Sequence, residues 1–229
     1  AADNAVAAKN QYAIAQLSDD SSNEYLMYEQ QTIFPVAELK IKGRHNQLNV
    51  LAAMALVDSL PAQFKVSPEV LTQVLGSFSG LAHRCAWVAE KNGIQYFNDS
   101  KGTNVGSTLA AIEGLAVAGQ KKIILIAGGV GKDQDFVPLA DACQASVKQA
   151  VLFGRDAKLI ATDLKASVEL EFTETLEQAL NKANDRAESG DIILFSPACA
   201  SFDQFANYVK RGEVFEQLVA DLLSQEGQV

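Results

Sequence analysis

The sequence is poor in the residues that disulfide frameworks and metal centres need. It has only three cysteines, Cys85, Cys143 and Cys199, an odd number spread far apart, which argues against a disulfide framework and a CxxC zinc site. The two histidines, His45 and His83, are too few for a histidine-based metal site. We therefore expect small buried cysteines, and we assign no metal ligand to this chain.

The sequence also lacks basic clusters and long apolar runs. Its formal net charge is −9, and an acidic surface repels phosphodiester backbones, so we predict no nucleic-acid partner. No apolar run reaches the roughly 18 residues of a membrane span, and no secretory leader is visible, so we expect a cytoplasmic protein that does not bind a membrane. What the chain has is a hydrophobic content of 48% over 229 residues, enough for a buried core.

The first 80 residues show short strand patterns but little core of their own. A short alanine-rich helix is predicted at the start, followed by strands over "YAIAQ", "YLMYE", "TIFPV" and "LKIK". Two helices follow, one over "HNQLNVLAAMALVDSL" and one capped by Ser67 with Pro68 in its first position. Because these elements make a poor independent core, we predict that residues 1–80 end a larger domain and that "SFSGLAHR" is a linker.

From residue 81 onward, strands alternate with helices. A hairpin about Asn92-Gly93 is followed by the strands "IILIA", "AVLF", "VELEF" and "IILFS", with helices between them and a long final helix predicted from Ser201. This alternation predicts a Rossmann-like α/β domain with a mainly parallel sheet and helices on both faces. Ligands of such sheets bind at the carboxyl ends of the strands, which selects the turns "NDSKGTN", "AGGVGKD", "FGRD" and "SPACASFDQF".

Each of these turns is ambiguous when taken alone. The stretch "FNDSKGTNVGST" is not a P-loop, because only three residues separate Gly102 from Gly106 and no lysine follows. The "GGVGK" turn lacks the last glycine of a dinucleotide fingerprint, and a plain glycine turn with a solvated Lys132 explains it as well. Ser201 either helps to bind an anion or only caps a helix. The convergence of the turns on one edge of one sheet is what favours a ligand site.

Six motifs, in this order, resemble those of the Mur ligases of peptidoglycan synthesis: "GRHNQLNVLAA", "GLAHR", "NDSKGTNVGST", "GGVGK", "FGR" and "SPACASFDQF". The branch that adds D-glutamate is matched best. The resemblance implies an ATP-dependent amide ligase that phosphorylates the carboxylate of UDP-N-acetylmuramoyl-L-alanine, after which the amine of D-glutamate attacks the acyl phosphate. Residues 1–80 then correspond to the end of the central ATP-binding domain and residues 81–229 to the D-glutamate-binding domain.

The resemblance also assigns ligands to individual residues. For ATP, it implies that Asn46 and Asn49 contact the adenine side, Arg84 the phosphates and Asp99 the ribose. The P-loop, the Mg²⁺ ligands and the UDP-binding domain are implied to lie outside this chain. We therefore expect the chain alone to be inactive and the complete enzyme to be a monomer.

For D-glutamate, the resemblance implies five residues that hold the two carboxylates: Thr103, Lys132, Ser201, Phe202 and Tyr208. Lys132 and Lys101 are the implied catalytic lysines. Three positions depart from the family. Val130 stands where an aspartate is frequent, so no acidic role carries over there. Gly102 in place of alanine and Tyr208 in place of phenylalanine are tolerable exchanges.

Two alternatives remain open from the sequence. One is a related ligase that adds a different amino acid, such as a folylpolyglutamate synthase. The other is a non-catalytic module that binds a nucleotide or an acidic amino acid. Binding of D-glutamate without ATP turnover in the complete protein would favour the module.

Overall fold

The structure is a computed structural model that describes residues 12–17, 20–41 and 43–225. The alanine-rich helix predicted at the start lies outside these residues. The chain divides into two compact units, Ala1–Gly80 and Leu81–Val229. Within the described ranges, no helix combines the length and the apolar content needed to cross a membrane.

The first unit is a three-stranded antiparallel sheet with two helices. The strands are β1 (Tyr12–Leu17), β2 (Asp20–Tyr28) and β3 (Gln31–Pro35), and the helices are α1 (Arg44–Asp58) and α2 (Pro68–Ser77). Its buried core is formed by apolar residues from β2, β3, α1 and α2 and by one residue between β3 and α1: Leu26, Phe34, Val50, Met54, Leu75 and Leu39. Leu56, Phe64 and Val74 remain 69%, 60% and 52% exposed, so the unit leaves much apolar surface uncovered.

Local sequence signals in this unit are partly confirmed. Ser67 caps α2, since its side chain accepts a hydrogen bond from the Val70 N–H. The strand predicted over "LKIK" is wrong. After β3 the chain forms a single 3₁₀ turn, closed by the bond from the Leu39 N–H to the Val36 carbonyl. Leu39 then packs into the core.

The second unit is built on a six-stranded sheet in the order β4-β5-β9-β6-β7-β8. The strands are β4 (Ala86–Lys91), β5 (Ile94–Asn98), β6 (Ile123–Gly128), β7 (Val147–Phe153), β8 (Glu169–Phe172) and β9 (Ile192–Phe195). β4 and β5 form an antiparallel hairpin, and every other neighbouring pair is parallel. The helices are α3 (Val105–Leu115), α4 (Leu139–Ser146), α5 (Ala157–Leu164), α6 (Leu176–Arg186) and α7 (Tyr208–Gln225).

Helices cover both faces of this sheet, which confirms the predicted α/β class. Along β6, Ile123 and Leu125 point into a core with α3, α4 and α5, while Ile124 and Ile126 point into a core with α6 and α7. Burial on both faces explains why β6 is apolar throughout, without the alternation of a half-exposed strand.

The start of the final helix differs from the prediction. It begins at Tyr208, not at Ser201. The Asn207 side chain accepts a hydrogen bond from the Lys210 N–H at 2.8 Å, which is the bond of an N-cap residue. Ser201 instead opens a separate turn, in which its carbonyl accepts from the Phe205 N–H at 2.8 Å. Ser201 therefore caps no long helix.

Candidate ligand site at the carboxyl edge of the sheet

The four turns selected from the sequence follow four neighbouring strands of the second unit. β5, β9, β6 and β7 are adjacent and parallel, and Phe195 of β9 lies opposite both Asn98 of β5 and Ile126 of β6. Because the carboxyl ends of parallel strands share one edge, the turns after them meet there.

Asp99, directly after β5, is held inside this edge. It is 7% exposed. Its Oδ2 accepts from Ser196 Oγ at 2.6 Å and its Oδ1 from the Cys85 N–H at 3.0 Å. Burial raises the pKa of Asp99 to about 6, while these two hydrogen bonds and the charges of Arg84 and Arg211 act in the opposite direction. The carboxylate is thus fixed at both oxygens, with a pKa close to the neutral range.

Lys101 and Tyr208, placed in the site by resemblance, are in contact. Lys101 Nζ lies 4.2 Å from the centroid of the Tyr208 ring, a cation–π arrangement. The Lys101 N–H donates to the His83 carbonyl at 2.9 Å. The lysine is therefore oriented at its backbone and at its ammonium group.

The turns after β6 and β9 are joined by backbone hydrogen bonds. Val130 and Ala200 exchange two of them, each 2.9 Å long. Gly129 has a φ of +126°, and a Cβ there would overlap the Ala200 carbonyl oxygen. Glycine is thus required at this position. The bridge sets the turn that carries Lys132 beside the turn that carries Ser201.

The predicted glutamate-binding residues differ in accessibility. Lys132 is exposed and has a left-handed backbone, with a φ of +54°. Phe202 is 70% exposed, whereas Ser201 is 2% exposed. Thr103 is half-buried, and its N–H donates to the Lys101 carbonyl at 2.8 Å. The turn after β6 thus carries an exposed ammonium, and the turn after β9 carries a buried hydroxyl.

The two residues predicted to contact the adenine side of ATP belong to the first unit. Asn46 and Asn49 lie on α1, three positions apart and hence on neighbouring parts of one helix face. Asn46 is half-buried and Asn49 is exposed. Arg84 belongs to the second unit, in the turn before β4, where its side chain is exposed.

Arg211 is a site residue that sequence reasoning missed. It is 1% exposed. Its Nε donates to Ser100 Oγ at 3.1 Å, and its Nη2 donates to the Ser100 and Cys199 carbonyls at 2.9 and 3.0 Å. Burial lowers the pKa of Arg211 to about 10, so the group stays charged at neutral pH. The guanidinium therefore ties the turn after β5 to the turn after β9.

A periodic signal could have revealed Arg211. It lies four and eight residues before Phe215 and Val219, which are both fully buried on α7. This spacing places the arginine on the apolar face of the helix. A charged residue on such a face needs polar partners inside the protein.

His83 and Asn98 form a second buried pair that the sequence did not indicate. Nδ1 of His83 lies 2.9 Å from Asn98 Nδ2 and 3.5 Å from Glu216 Oε1. A Cβ at Gly212 would overlap the His83 ring, so the ring packs directly on the α7 backbone. These contacts support the turn that presents Arg84 and Lys101.

Metal ligands are not clustered in this part of the protein. Across residues 12–17, 20–41 and 43–225, no group of three or more His, Cys, Asp or Glu side chains is arranged to hold a metal ion. No chemical step is therefore assigned to a metal held by the described residues.

The second unit matches a known enzyme family. Residues 83–199, more than half of the chain, match the family model described as "Mur ligase, glutamate ligase domain". The chain belongs to the Mur ligase family.

Particular relatives share one name. The UDP-N-acetylmuramoylalanine--D-glutamate ligase of Coxiella burnetii (strain Dugway 5J108-111) is 43% identical over 213 residues, which are 93% of this chain and 47% of that protein. The ligase of the same name from Pseudomonas syringae pv. tomato (strain ATCC BAA-871 / DC3000) is 45% identical over 207 residues, 89% of this chain and 44% of that protein. The chain spans about half the length of the curated relatives it matches.

Solved structures of related ligases share the fold. The Mycobacterium tuberculosis folylpolyglutamate synthase complexed with ADP aligns with a TM-score of 0.64 at 14% identity, over 92% of this chain and 48% of that one. The Acinetobacter baumannii UDP-N-acetylmuramoylalanyl-D-glutamyl-2,6-diaminopimelate--D-alanyl-D-alanyl ligase aligns with a TM-score of 0.56 at 18% identity, over 88% of this chain and 41% of that one. At these identities the likeness concerns the fold alone.

Proposed function

We propose that the complete protein is an ATP-dependent ligase that joins D-glutamate to UDP-N-acetylmuramoyl-L-alanine. ATP phosphorylates the precursor carboxylate, the D-glutamate amine attacks the acyl phosphate, and inorganic phosphate leaves. Two relatives at 43% and 45% identity that carry this name support the proposal. The folylpolyglutamate synthase alternative is supported only by fold similarity at 14% identity.

We further propose that residues 1–80 are the end of the central ATP-binding domain and that residues 81–229 form the D-glutamate-binding domain. The exposed apolar side chains of the first unit support this assignment, because they suit a surface covered by more of the same domain. The P-loop, the Mg²⁺ ligands and the UDP-binding domain are then supplied by protein outside this chain. Residues 1–229 alone are expected not to turn over ATP. The complete enzyme is proposed to act as a monomer in the cytoplasm.

The nucleotide contacts are proposed for four residues. Asn46 and Asn49 offer amide groups to the adenine side, Arg84 offers a cation to the phosphates, and Asp99 accepts hydrogen bonds from the ribose hydroxyls. Asp99 suits this task because one lone pair on each oxygen remains after its bonds to Ser196 and Cys85.

The glutamate contacts are proposed to gather around the Val130–Ala200 bridge, and this bridge is the observation that carries the assignment. Lys132 supplies a point charge for one carboxylate of D-glutamate, and Ser201 supplies a hydroxyl donor. Thr103, Phe202 and Tyr208 complete the contacts. Lys101, oriented on the Tyr208 ring, and Lys132 stabilise negative charge that develops during the attack of the amine.

Lys132 provides the direct test. In a chimera that carries this chain in place of the matching segment of the Pseudomonas syringae relative, Lys132→Ala leaves a substrate carboxylate without its partner. The expected loss is roughly 2–5 kcal/mol, seen as a rise of more than about tenfold in the KM for D-glutamate. The KM for ATP should change little. Lys132→Arg should restore binding only in part, because a planar fork does not replace a compact ammonium in a narrow turn.

Lys121 is the matched control, since it is an exposed lysine that precedes β6 whereas Lys132 follows it. Lys121→Ala should leave both KM values and kcat unchanged. If Lys132→Ala behaves in the same way as Lys121→Ala, Lys132 is a solvated lysine and the proposed glutamate site is wrong.

A further inference from the structure

We propose that Ser196 is a positioning residue for Asp99, and that Thr108 supports Ser196 through a chain of hydroxyl groups. The proposal rests on the nucleotide contact proposed for Asp99. In this proposal, neither Ser196 nor Thr108 contacts the nucleotide. Ser196 acts by holding the Asp99 carboxylate, and Thr108 acts by holding Ser196.

Sheet register places Asp99 and Ser196 together, and α3 carries the third side chain, Thr108. β5 and β9 are parallel neighbours with Asn98 opposite Phe195, so the next residues, Asp99 and Ser196, lie side by side. Ser196 Oγ is 2.6 Å from Asp99 Oδ2 and 2.8 Å from Thr108 Oγ1. Ser196 and Thr108 are both 0% exposed. These hydrogen bonds therefore lie inside the protein.

The number of hydroxyl protons limits which of these groups donates and which accepts. A serine hydroxyl has one proton to donate, and an ionised carboxylate can only accept. When Asp99 is ionised, the single proton of the Ser196 hydroxyl is donated to Asp99. Thr108 then donates its own proton either to Ser196 Oγ, at 2.8 Å, or to the Ser196 carbonyl, at 3.4 Å. Protonation of Asp99 would end this arrangement. The hydroxyl chain therefore stabilises the ionised form of a carboxyl group that burial disfavours.

Gly102 provides the space for this arrangement. A Cβ at position 102 would overlap Asp99 Oδ2 and would lie 2.8 Å from Ser196 Oγ. The other oxygen, Oδ1, is held by the Cys85 N–H. With both oxygens anchored, the carboxylate has one orientation, and its remaining lone pairs suit two neighbouring hydroxyls such as those of a ribose.

Other charged groups act on Asp99 as well. Arg84, from the turn before β4, and Arg211, from α7, both lower its pKa, and the Cys85 thiol is its titratable neighbour. These groups stay in place when Ser196 is changed. Loss of the Ser196 bond should therefore move the Asp99 titration upward from about 6, because a bond to the ionised form is removed.

The first test measures the Asp99 carboxyl directly. In the 229-residue chain, ¹³C NMR titration should show that Ser196→Ala raises the Asp99 midpoint by about one pH unit, the value of one charge-assisted hydrogen bond. Thr108→Val should raise it by less, and Thr108→Ser, which keeps the hydroxyl, should leave it unchanged. An Asp99 midpoint that moves in neither Ser196→Ala nor Thr108→Val overturns the proposal.

The second test measures nucleotide use in the chimera. The ratio of the ATP KM of Ser196→Ala to that of the unmodified chimera should be about threefold at pH 6.5 and close to one at pH 8.5, where Asp99 is ionised in both. The KM for D-glutamate should not change. A ratio that is raised equally at all pH values would indicate a purely structural effect and would overturn the proposal. An Asp99 midpoint that moves while the ATP KM does not would support Ser196 as the positioning residue but refute Asp99 as a nucleotide contact.

Discussion

The buried guanidinium of Arg211 allows a stability prediction to be worked out from its contacts. Arg211→Met keeps an unbranched apolar stem of similar length but removes the three hydrogen bonds to Ser100 and Cys199. Two of the acceptors are backbone carbonyls at a buried edge, and each costs about 1–3 kcal/mol when it loses its donor. The substitution also removes the cost of keeping the charged guanidinium buried, which offsets part of this loss. The second unit should therefore lose about 2–4 kcal/mol of unfolding free energy.

Urea unfolding of the 229-residue chain measures this loss. Trp87, the single tryptophan, lies on β4 and so reports on the second unit. Lys210→Met is the control, because Lys210 is an exposed neighbour on α7 that pairs with exposed Glu213, and it should change stability by less than about 0.5 kcal/mol. The stability loss of Arg211→Lys should fall between those of Arg211→Met and Lys210→Met, since one ammonium cannot hydrogen-bond to both turns in the way the guanidinium does. An Arg211→Met chain as stable as the original would refute the claim that the guanidinium holds the turns together.

Three further predictions concern other parts of the second unit. Gly129→Ala combines backbone strain with overlap on a carbonyl oxygen, so it should lower the unfolding free energy in urea clearly more than Gly119→Ala does. At Gly119 φ is +70° and the space is open, so strain alone costs about 1 kcal/mol. Equal losses for the two variants would contradict this. In the chimera, Tyr208→Phe keeps a ring beneath Lys101 and should leave the KM for D-glutamate unchanged, whereas Tyr208→Leu should raise it several-fold. Burial raises the pKa of each of the three cysteine thiols to about 12, but only Cys143 and Cys199 are buried as expected from the sequence, whereas Cys85 is half-buried. A thiol reagent at neutral pH should therefore react with Cys143 and Cys199 only after unfolding in urea, and rapid labelling of these two in the native chain would disprove it.

The regular elements could be predicted from the sequence because their signals are local. The apolar run of β6, the alternation of strands with helices and the cap at Ser67 each depend on residues within one element. The start of α7 could not, since Ser201 and Asn207 both satisfy the local rule for an N-cap. In the structure the Asn207 side chain makes the cap bond to the Lys210 N–H, whereas Ser201 opens a separate turn through its carbonyl.

The sequence indicates those candidate site residues that have charged or polar side chains and lie in glycine-containing turns. It does not indicate the buried residues that support them. Lys132 and Asp99 stand out in sequence because they lie in turns after strands. Ser196 and Thr108 do not, because hydroxyl residues are common and their pairing crosses 88 positions of the chain. Arg211 was missed because arginine is rarely fully buried, so its charge alone suggests the surface.

The bridge between Val130 and Ala200 has a consequence for inherited variation. It is made of main-chain atoms, so it carries no requirement for particular side chains at these two positions. The number of residues in each of the two turns, in contrast, is constrained. One residue inserted between Gly128 and Lys132, or between Pro197 and Ser201, would shift the pairing and carry the lysine away from the serine. Natural variants of this protein should therefore exchange residues in the two turns but keep both turns at the same length.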